Sequence, residues 1–275
     1  MIKQNFHTHS IYDDGTDTID EMVQTAIEKG FTRLGFSGHG FNRPIDDCSM
    51  TRENTRKYLA DLAAAKEKYK GQIEIYAGIE QDSLSRLDRA DFEYVLGSVH
   101  FVQKDGAWYP VDYSREVFEQ ILKDVFKGDM KAFLQAYMDE VRRMLDFEEI
   151  DLVGHIDLIS KYNEDQTFFA FDDPWYVQKM KELIDLGIEK GLIFEMNTGA
   201  ISRGYRTSAY PHQILLEHMA ASRAKVCINT DCHARASLDL GITECLERAK
   251  KAGIRTLWTF DHGKWLEKSI DEFCG

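Results

Sequence analysis

The stretch Phe6-His7-Thr8-His9-Ser10 decides how the rest of this chain is interpreted. It follows a short apolar start, so we expect a first β-strand over residues 2–6 that ends where the two histidines stand. On extended backbone a His-x-His pair places both imidazoles on the same face, because side chains alternate with a period of two. Two imidazoles on one face make half of a metal site, although the pair alone is also compatible with ordinary surface or core histidines.

The same pattern recurs along the chain: a short apolar run, a polar cluster and then an amphipathic segment. This alternation is typical of β/α units on a parallel sheet. We predict strands over residues 2–6, 33–37, 73–79, 94–99, 151–154, 192–196 and 225–229. We predict helices over residues 18–29, 51–69, 115–126, 130–147, 174–190, 211–222 and 240–252. Residues 102–112 are predicted to form a surface loop or hairpin, residues 198–210 a polar loop, and an apolar run over 256–260 closes the chain.

One α/β domain over residues 1–275 is the simplest organisation, because barrel folds run to about 250 residues as a single domain. No Pro-, Gly- or Ser-rich linker interrupts the chain, and its 43% hydrophobic content suffices for a full core. No apolar run reaches the roughly 18–20 residues that span a bilayer, and the N-terminal residues predict no signal peptide. Five scattered cysteines without C-x-x-C spacing favour free thiols and a cytoplasmic location.

The charge is strongly acidic: 34 Lys and Arg against 47 Asp and Glu give a formal net charge of −13. On average this field repels a phosphate-rich polymer. We therefore expect a small phosphorylated substrate bound in a local basic pocket, no nucleic-acid or membrane partner, and a monomer or small homo-oligomer.

Metal-competent side chains stand at or directly after the ends of six of the seven predicted strands; the exception is the strand that ends at Asn197. The carboxyl ends of parallel strands converge on one face of a barrel, so residues far apart in sequence are expected to meet there. These residues are His7, His9, His39, Glu80, His100, His155, Asp231 and His233.

Histidines combined with carboxylates suit transition metals such as Zn, Fe or Mn. Eight or nine candidate ligands are too many for one ion, so we predict two or three divalent metals, with Glu80 able to bridge two of them. Adjacent metals lower the pKa of a shared water and clamp an oxyanion, which is the machinery of phosphoester hydrolysis. Asp14 either completes the set or is a turn residue in Asp13-Asp14-Gly15, and Asp13 is predicted to be a turn residue only.

With these residues assembled, the chain resembles the PHP (polymerase and histidinol phosphatase) family of metal-dependent phosphoesterases over essentially its whole length. The resemblance rests on His7-Thr8-His9-Ser10, Gly38-His39, Glu80, Ser98-Val99-His100, Gly154-His155 and Asp231-Cys232-His233. It looks closest to the stand-alone histidinol-phosphate phosphatase branch, through Gly97-Ser98-Val99-His100-Phe101, Asp112-Tyr113-Ser114, Glu195-Met196-Asn197-Thr198 and Tyr210-Pro211.

The resemblance implies a distorted (β/α)7 TIM-like barrel with a trinuclear centre at the C-terminal ends of the parallel strands. One metal would take His7, His9, Glu80 and Asp231; a second Glu80, His100 and His155; the third Asp14, His39 and His233. Asp14 stands where relatives vary, and one branch has a histidine there. The implied reaction is hydrolysis of L-histidinol phosphate in histidine biosynthesis, by direct attack of a metal-bridging hydroxide on phosphorus without a phosphoenzyme. We accordingly predict catalytic roles for Glu80, Asp231 and His233.

A phosphate monoester also needs cationic contacts beyond the metals. Arg203 is the first candidate, followed by Arg206, Arg43 and Lys161, all in loops after predicted strands. The cationic end of histidinol would suit an acidic, partly aromatic rim, for which the candidates are Asp46, Asp47, Asp82, Tyr113 and Tyr205. The quartet 168–171 could cover the site, although an apolar quartet is more often packing.

Three alternatives compete with this hypothesis. The first is a phosphoesterase of the same family with another small monoester, a nucleotide or a nucleic-acid end as substrate. The second is a non-catalytic metal-binding module, which should have lost ligands that this chain retains. The third is a metal-dependent amide hydrolase, a class that commonly bridges its metals with a modified lysine, and no lysine stands at a predicted strand end here.

Overall fold

Seven short parallel strands form the central sheet of the protein. The computed structural model describes residues 1–41, 48–85 and 89–273. The strands follow one another across the sheet in the order β1-β2-β3-β4-β7-β8-β9. Their bounds are β1 Gln4–Asn5, β2 Arg33–Phe36, β3 Glu74–Asp82, β4 Tyr94–Ser98, β7 Leu152–Val153, β8 Ile193–Asn197 and β9 Lys225–Asn229. Two antiparallel hairpins join them: β5 Phe101–Lys104 with β6 Ala107–Pro110, and β10 Thr256–Asp261 with β11 Lys264–Ser269.

Helices surround the strands, and most begin at a residue whose side chain caps the helix. Thr18 and Glu21 form a capping box at the start of α1, and Ser114 and Asp129 cap α3 and α4. The bounds are α1 Ile19–Glu28, α2 Arg52–Lys68, α3 Arg115–Asp124, α4 Met130–Leu145, α5 Pro174–Glu189, α6 Gly199–Ser202, α7 Gln213–Ala221 and α8 Ile242–Ala252. None of the helices in the described ranges is long and apolar enough to cross a membrane.

The barrel closes between β1 and β9 through side chains rather than through a regular ladder. The Asn229 carboxamide oxygen accepts from Phe6 N, and the Asn5 oxygen accepts from Thr230 N. A single parallel bridge, Thr8 to Cys232, and the bond from His9 N to the Cys232 carbonyl continue the seam at the carboxyl end. The predicted distorted seven-stranded α/β barrel is therefore confirmed, and this seam is where the distortion lies.

The end of the barrel opposite to the strand carboxyl termini is filled by aromatic rings. Phe6, Tyr76 and Tyr94 point into the interior, and the β10–β11 hairpin contributes Phe260 and Trp265. The Tyr94 hydroxyl donates to the carbonyls of Phe6 and Phe36, 2.7 and 3.1 Å away. Gly35 and Gly78 leave room for this ring, because a Cβ at either position would collide with it. We call these packed rings the barrel floor.

The structure departs from the predicted elements in three places. Strand β3 continues to Asp82, so Glu80 lies inside the strand instead of after its end. Helix α6 forms one turn where a loop is predicted. The second strand of the C-terminal hairpin, β11, is not predicted from the sequence. Its outward residues are charged and hide the apolar alternation, although Trp265 of this strand packs against Phe260.

Candidate metal centre

The carboxyl ends of the strands bring the predicted ligands together. Their nitrogen and oxygen atoms form four overlapping groups in which all ligand atoms lie within 4.8 Å of one another. The groups are His9, Asp14, His39 and His233; His7, Glu80 and His155; His7, His9 and Asp231; and His39, Glu80 and His100. All nine predicted metal ligands thus lie in one continuous cluster, and Asp14 is part of it.

Glu80 lies at the middle of this cluster and is almost fully buried. Its Oε2 faces His39 Nδ1 at 2.9 Å and His7 Nε2 at 3.3 Å, whereas its Oε1 faces His155 Nε2 at 3.3 Å and His100 Nε2 at 3.4 Å. The two carboxylate oxygens therefore address two different sets of imidazoles, which is the geometry of a bridging carboxylate.

Asp231 and Asp14 complete the two flanks of the cluster. Asp231 Oδ1 lies 3.1 Å from His9 Nε2 and 3.5 Å from His7 Nε2. Asp14 Oδ1 lies 3.2 Å from His233 Nε2 and 3.7 Å from His39 Nε2. Asp14 is more exposed than Glu80 or Asp231, so its flank is the one nearest to solvent.

The backbone of Asp231 is strained to make this arrangement. Its φ is +48°, in the left-handed region that non-glycine residues rarely adopt. The adjacent loop accommodates its carboxylate at Gly199, where a Cβ would collide with Asp231. Cys232, which lies between Asp231 and His233, is buried and packs in the hydrophobic core.

Three buried carboxylates hold the far nitrogens of three imidazoles. Glu195 Oε1 lies 2.8 Å from His7 Nδ1, Asp13 Oδ2 lies 2.5 Å from His9 Nδ1, and Asp82 Oδ2 lies 3.0 Å from His100 Nδ1. Such partners fix the tautomer and the orientation of an imidazole ligand. In each pair the other ring nitrogen, Nε2, is left to face the cluster.

These contacts correct two sequence predictions. Asp13 is more than a turn residue, because its buried carboxylate also accepts from the backbone N–H groups of Ser10 and His39. Asp82 is not on a substrate rim, because it is buried and committed to His100, which lies beside it at the end of the neighbouring strand.

Sequence reasoning missed Glu195 as a site residue. It lies within β8 among buried apolar residues, and its oxygens also accept from Asn197, Asn229 and His155 N. A carboxylate inside an apolar strand run is the signal that could have identified it, because an unpaired buried charge is too costly to retain.

The protonation pattern is that of a site built for cations. Burial lowers the pKa of His9, but Asp13 outweighs it and raises the pKa to about 9. Burial raises the pKa of Glu80, but the surrounding imidazoles, His7 first, hold it well below its usual range. The carboxylates thus favour positive charge at His9 and around Glu80.

The donor set fits divalent transition metals. His7 Nε2 and both oxygens of Glu80 are buried without a hydrogen-bond partner in the described part of the chain, and all three point into the cluster. Buried polar atoms normally find a partner, and imidazole and carboxylate donors at this spacing are ligands of Zn, Fe or Mn.

The predicted phosphate contacts fall into two classes. Arg203 borders the cluster: its Nη2 lies 3.0 Å from Asp231 Oδ2 and its Nη1 lies 3.4 Å from His233 Nε2. Lys161 Nζ lies 3.2 Å from Asp112 Oδ2. Burial alone would raise the pKa of Asp112, but the positive charges of Lys161, His100 and Arg203 outweigh burial and lower the pKa to about 2. Asp112 is therefore paired with Lys161 and lies near enough to His100 and Arg203 to be affected by their charge.

Arg206 is a different kind of residue from the one predicted. Its Nη1 donates to the Ser160 carbonyl and hydroxyl oxygens and its Nη2 donates to Ser208 Oγ, so neutral acceptors of the loops themselves hold its guanidinium. Arg43, Asp46 and Asp47 lie outside the described residues.

The remaining rim candidates are aromatic. Tyr113 and Tyr205 are exposed, and Tyr205 packs edge-on against Tyr162. The quartet at 168–171 is packing rather than a cover: Phe168 lies against Phe118, and Phe171 stacks on His212 at 4.0 Å.

Comparison with known proteins identifies a family. The PHP domain family model matches residues 5–199, a span that holds seven of the nine clustered ligands and Glu195. The histidinol-phosphatase of Bacillus subtilis is 21% identical over 272 residues, which cover 90% of this chain and 100% of that protein.

Two solved structures share the fold. A candidate histidinol phosphatase of Listeria monocytogenes aligns with a TM-score of 0.77 and 21% identity, over 88% of this chain and 99% of that one. The histidinol phosphate phosphatase of Lactococcus lactis, solved with zinc, L-histidinol and phosphate, aligns with a TM-score of 0.70 and 20% identity, over 96% of this chain and 98% of that one.

Proposed function

The chain belongs to the PHP domain family, and from that premise we propose that it hydrolyses L-histidinol phosphate to L-histidinol and phosphate in histidine biosynthesis. The observation that carries the proposal is the position of Glu80, whose two oxygens face two sets of imidazoles within one buried cluster. The names and coverage of the Bacillus subtilis and Lactococcus lactis relatives support this choice of substrate.

In this proposal the cluster holds two to three divalent metals, Zn, Fe or Mn. His7, His9, Glu80 and Asp231 would hold one, Glu80, His100 and His155 a second, and Asp14, His39 and His233 a third. The third set lies within a single one of the groups described above, whereas the first set joins two groups that share His7 and the second joins two groups that share Glu80. When bound, such metals lower the pKa of water and neutralise phosphate oxygens.

The protein's own contribution is to hold its groups in fixed positions. Glu195, Asp13 and Asp82 fix the tautomers of three imidazoles, so that each presents Nε2 to the cluster. The catalytic residues of the proposal are Glu80, which joins two sets of imidazoles, with Asp231 and His233. Asp231 turns one oxygen towards His9 and the other towards Arg203, so it connects the imidazoles to the cationic side of the site.

We assign phosphate binding to Arg203 and Lys161. Arg203 supplies a planar fork of donors suited to two phosphate oxygens, and it already engages a carboxylate at the edge of the cluster. Lys161 Nζ is held by the Asp112 carboxylate and carbonyl, and Asp112 lies close enough to His100 and Arg203 to have its pKa lowered by both. A phosphate bound between the two cations would contact the cluster directly.

We further propose that the chain acts as a single domain, as a monomer or small homo-oligomer in the cytoplasm. The large hydrophobic core that runs from α1 to the C-terminal residues supports the single domain. Cys227, Cys232 and Cys245 are buried thiols, which suits a reducing compartment.

Steady-state kinetics on a panel of phosphate monoesters test the proposal. The zinc- or manganese-loaded protein should show a kcat/KM for histidinol phosphate at least about 100-fold above that for p-nitrophenyl phosphate or a nucleoside monophosphate, because only histidinol phosphate carries the amine and imidazole that a histidinol site would contact beyond the phosphate. Equal kcat/KM across the panel would leave a general phosphoesterase of this family. No hydrolysis by a fully metal-loaded protein would favour a non-catalytic module.

A further inference from the structure

The two cations assigned to phosphate binding come from two separate loops. Lys161 lies in the loop after β7, residues 154–173, and Arg203 lies in the loop after β8, residues 198–212. We call these the β7 loop and the β8 loop. A site that grips one phosphate with a side chain from each loop depends on the spacing between the loops, because a misplacement of about 1 Å already weakens such contacts greatly.

Glu164 ties the two loops together on the outer side. Its carboxylate accepts hydrogen bonds from Thr207 N at 2.8 Å, Thr207 Oγ1 at 2.9 Å, Ser208 N at 3.1 Å and Ser208 Oγ at 3.2 Å. Two backbone and two side-chain donors of the β8 loop thus converge on one carboxylate of the β7 loop. Hydrogen bonds to an ionised acceptor are among the stronger ones in proteins.

Arg206 ties the same loops together on the inner side. Its Nη1 donates to Ser160 Oγ at 2.6 Å and to the Ser160 carbonyl at 3.3 Å. Ser160 directly precedes Lys161, and Arg206 follows Arg203 by three residues. The guanidinium also lies over the Tyr210 ring, 4.7 Å from its centroid, which anchors the end of the β8 loop.

The aromatic contact between the loops lies between these two ties. The Tyr162 and Tyr205 rings meet edge to face with centroids 5.5 Å apart, and Lys161 Nζ lies 4.8 Å from the Tyr205 centroid. A residue adjacent to Lys161 and one two positions from Arg203 are therefore in direct contact. The two loops form one packed unit and not two independent arms.

We propose that Glu164 and Arg206 act as a clasp that sets the spacing between Lys161 and Arg203 and thereby determines the affinity for the phosphate group. The inference rests on the proposed phosphatase function. Glu164 and Arg206 are positioning residues: neither lies in the metal cluster, and each makes side-chain hydrogen bonds from its own loop to the other loop. A preset spacing saves the entropy that two mobile cations would lose on binding.

The proposal predicts a specific kinetic signature for Glu164→Ala. Inorganic phosphate, used as a competitive inhibitor of histidinol phosphate hydrolysis, should bind about tenfold more weakly, as expected for loss of roughly 1.4 kcal/mol of preorganisation. KM should rise by more than kcat falls, and the metal content per chain should stay as in the wild type. Glu182→Ala, which removes an exposed carboxylate bonded only to Lys179 and Gln178 among the described residues, is the matched control and should change none of these values.

A double-mutant cycle then separates positioning from general structural support. If Glu164 acts through Arg203, the Glu164→Ala change should weaken phosphate binding much less in an Arg203→Ala background than in the wild type. Full additivity of the two changes would overturn the proposal, and so would an unchanged inhibition constant in Glu164→Ala.

Two further arms keep the outcomes distinct. Should Glu164→Ala lose its fold or its metals, Glu164→Gln keeps the size of the side chain but removes its charge and turns an NH2 group towards the Thr207 and Ser208 donors. An unchanged phosphate affinity in that variant counts against the clasp. If the metal-loaded wild type hydrolyses no phosphate monoester, the proposed function fails. If the wild type is active and Glu164→Ala behaves as Glu182→Ala does, only the clasp is wrong.

Discussion

The two ends of the barrel are built from the same strands, but they differ in whether their buried polar atoms have hydrogen-bond partners. Directly after β1, Phe6 packs in the floor, and the next residue, His7, begins the cluster at the carboxyl end. At the floor, rings fill the space and the Tyr94 hydroxyl is satisfied by two carbonyls. In the cluster, buried atoms of His7 and Glu80 face one another without hydrogen-bond partners among the described residues. Packing at one end supports groups at the other that are held ready for a ligand.

This contrast assigns stability and activity to different ends. Substitutions in the cluster should remove activity while the fold persists, and substitutions in the floor should reduce the free energy of unfolding while turnover per folded molecule persists.

The largest effect is expected for Glu80→Gln. An amide has one acceptor oxygen, and its NH2 group would face imidazole nitrogens that now meet a carboxylate oxygen. We expect kcat to fall at least about 1000-fold, the upper range for losing one key electrostatic group, with a wild-type circular dichroism spectrum. Kinetics and metal content by mass spectrometry check the result.

Glu74→Gln is the control for that change. It alters the same strand at its other end, where Glu74 bonds to the Tyr76 hydroxyl, so activity should stay within about twofold of wild type. Substantial turnover by Glu80→Gln would mean that no bridging carboxylate is needed.

The second prediction is Gly78→Ala in the floor. The new Cβ would collide with the Tyr94 ring, which three other rings confine. Overpacking of this kind costs about 3 kcal/mol, so urea unfolding of the metal-loaded protein should shift accordingly while kcat per folded molecule holds.

Coupling to Tyr94 tests the cause. Tyr94→Leu removes the colliding ring atoms, so it should destabilise the Gly78→Ala protein less than it destabilises the wild type. Equal destabilisation in both backgrounds would show that the collision is not what makes Gly78→Ala costly.

The sequence predicts the positions of the candidate metal ligands better than it predicts the residues that hold those ligands in place. His39, His100 and His155 follow apolar strand runs, and parallel strands leave their carboxyl ends on one face, so topology alone brings them together. The location of Asp231 after β9 follows for the same reason. Its left-handed backbone and the space provided by Gly199 could not be predicted, because both depend on how two loops meet.

The supporting residues were missed for physical reasons. Asp13 and Asp82 look like loop residues in sequence, and only the extra length of β3 and the turn after His9 bury their carboxylates against imidazoles. Arg206 looks like a solvated loop arginine, and its burial against Ser160 follows from contact between the β7 and β8 loops. Pairings between loops are not encoded in local periodicity.

Glu195→Gln probes the boundary between the two ends, because Glu195 supports the cluster from within the barrel wall. Its carboxylate accepts four hydrogen bonds, including the one from His7 Nδ1, whereas a glutamine NH2 would oppose at least one of these donors. Loss of such a partner weakens metal binding by about 10- to 100-fold. Zinc titration in a chelator buffer measures it, with Glu189→Gln at the exposed end of α5 as control. An unchanged zinc affinity would mean that Glu195 serves only the fold.

The smallest effect is expected for Asp239→Asn, at a pair of salt bridges on the floor side of the molecule. Asp239 bonds to Lys3 at 2.9 Å and to Lys29 at 2.7 Å and so links the start of β1 to the end of α1. Burial raises the pKa of Asp239, but the two lysines outweigh it and lower the pKa below its usual value of 3.8. A depressed pKa gives stability that is present above the unfolded-state pKa, near pH 4, and is lost as pH falls through the folded-state value.

The variant should therefore be less stable than wild type by under about 1 kcal/mol at pH 7, and the difference should shrink below about pH 4. Urea unfolding of both proteins at each pH measures this difference in stability. Metal loss at low pH affects the wild type and the variant alike, so it does not enter the difference. A difference that grew on acidification would contradict the role of Asp239 as the ionised partner of the two lysines.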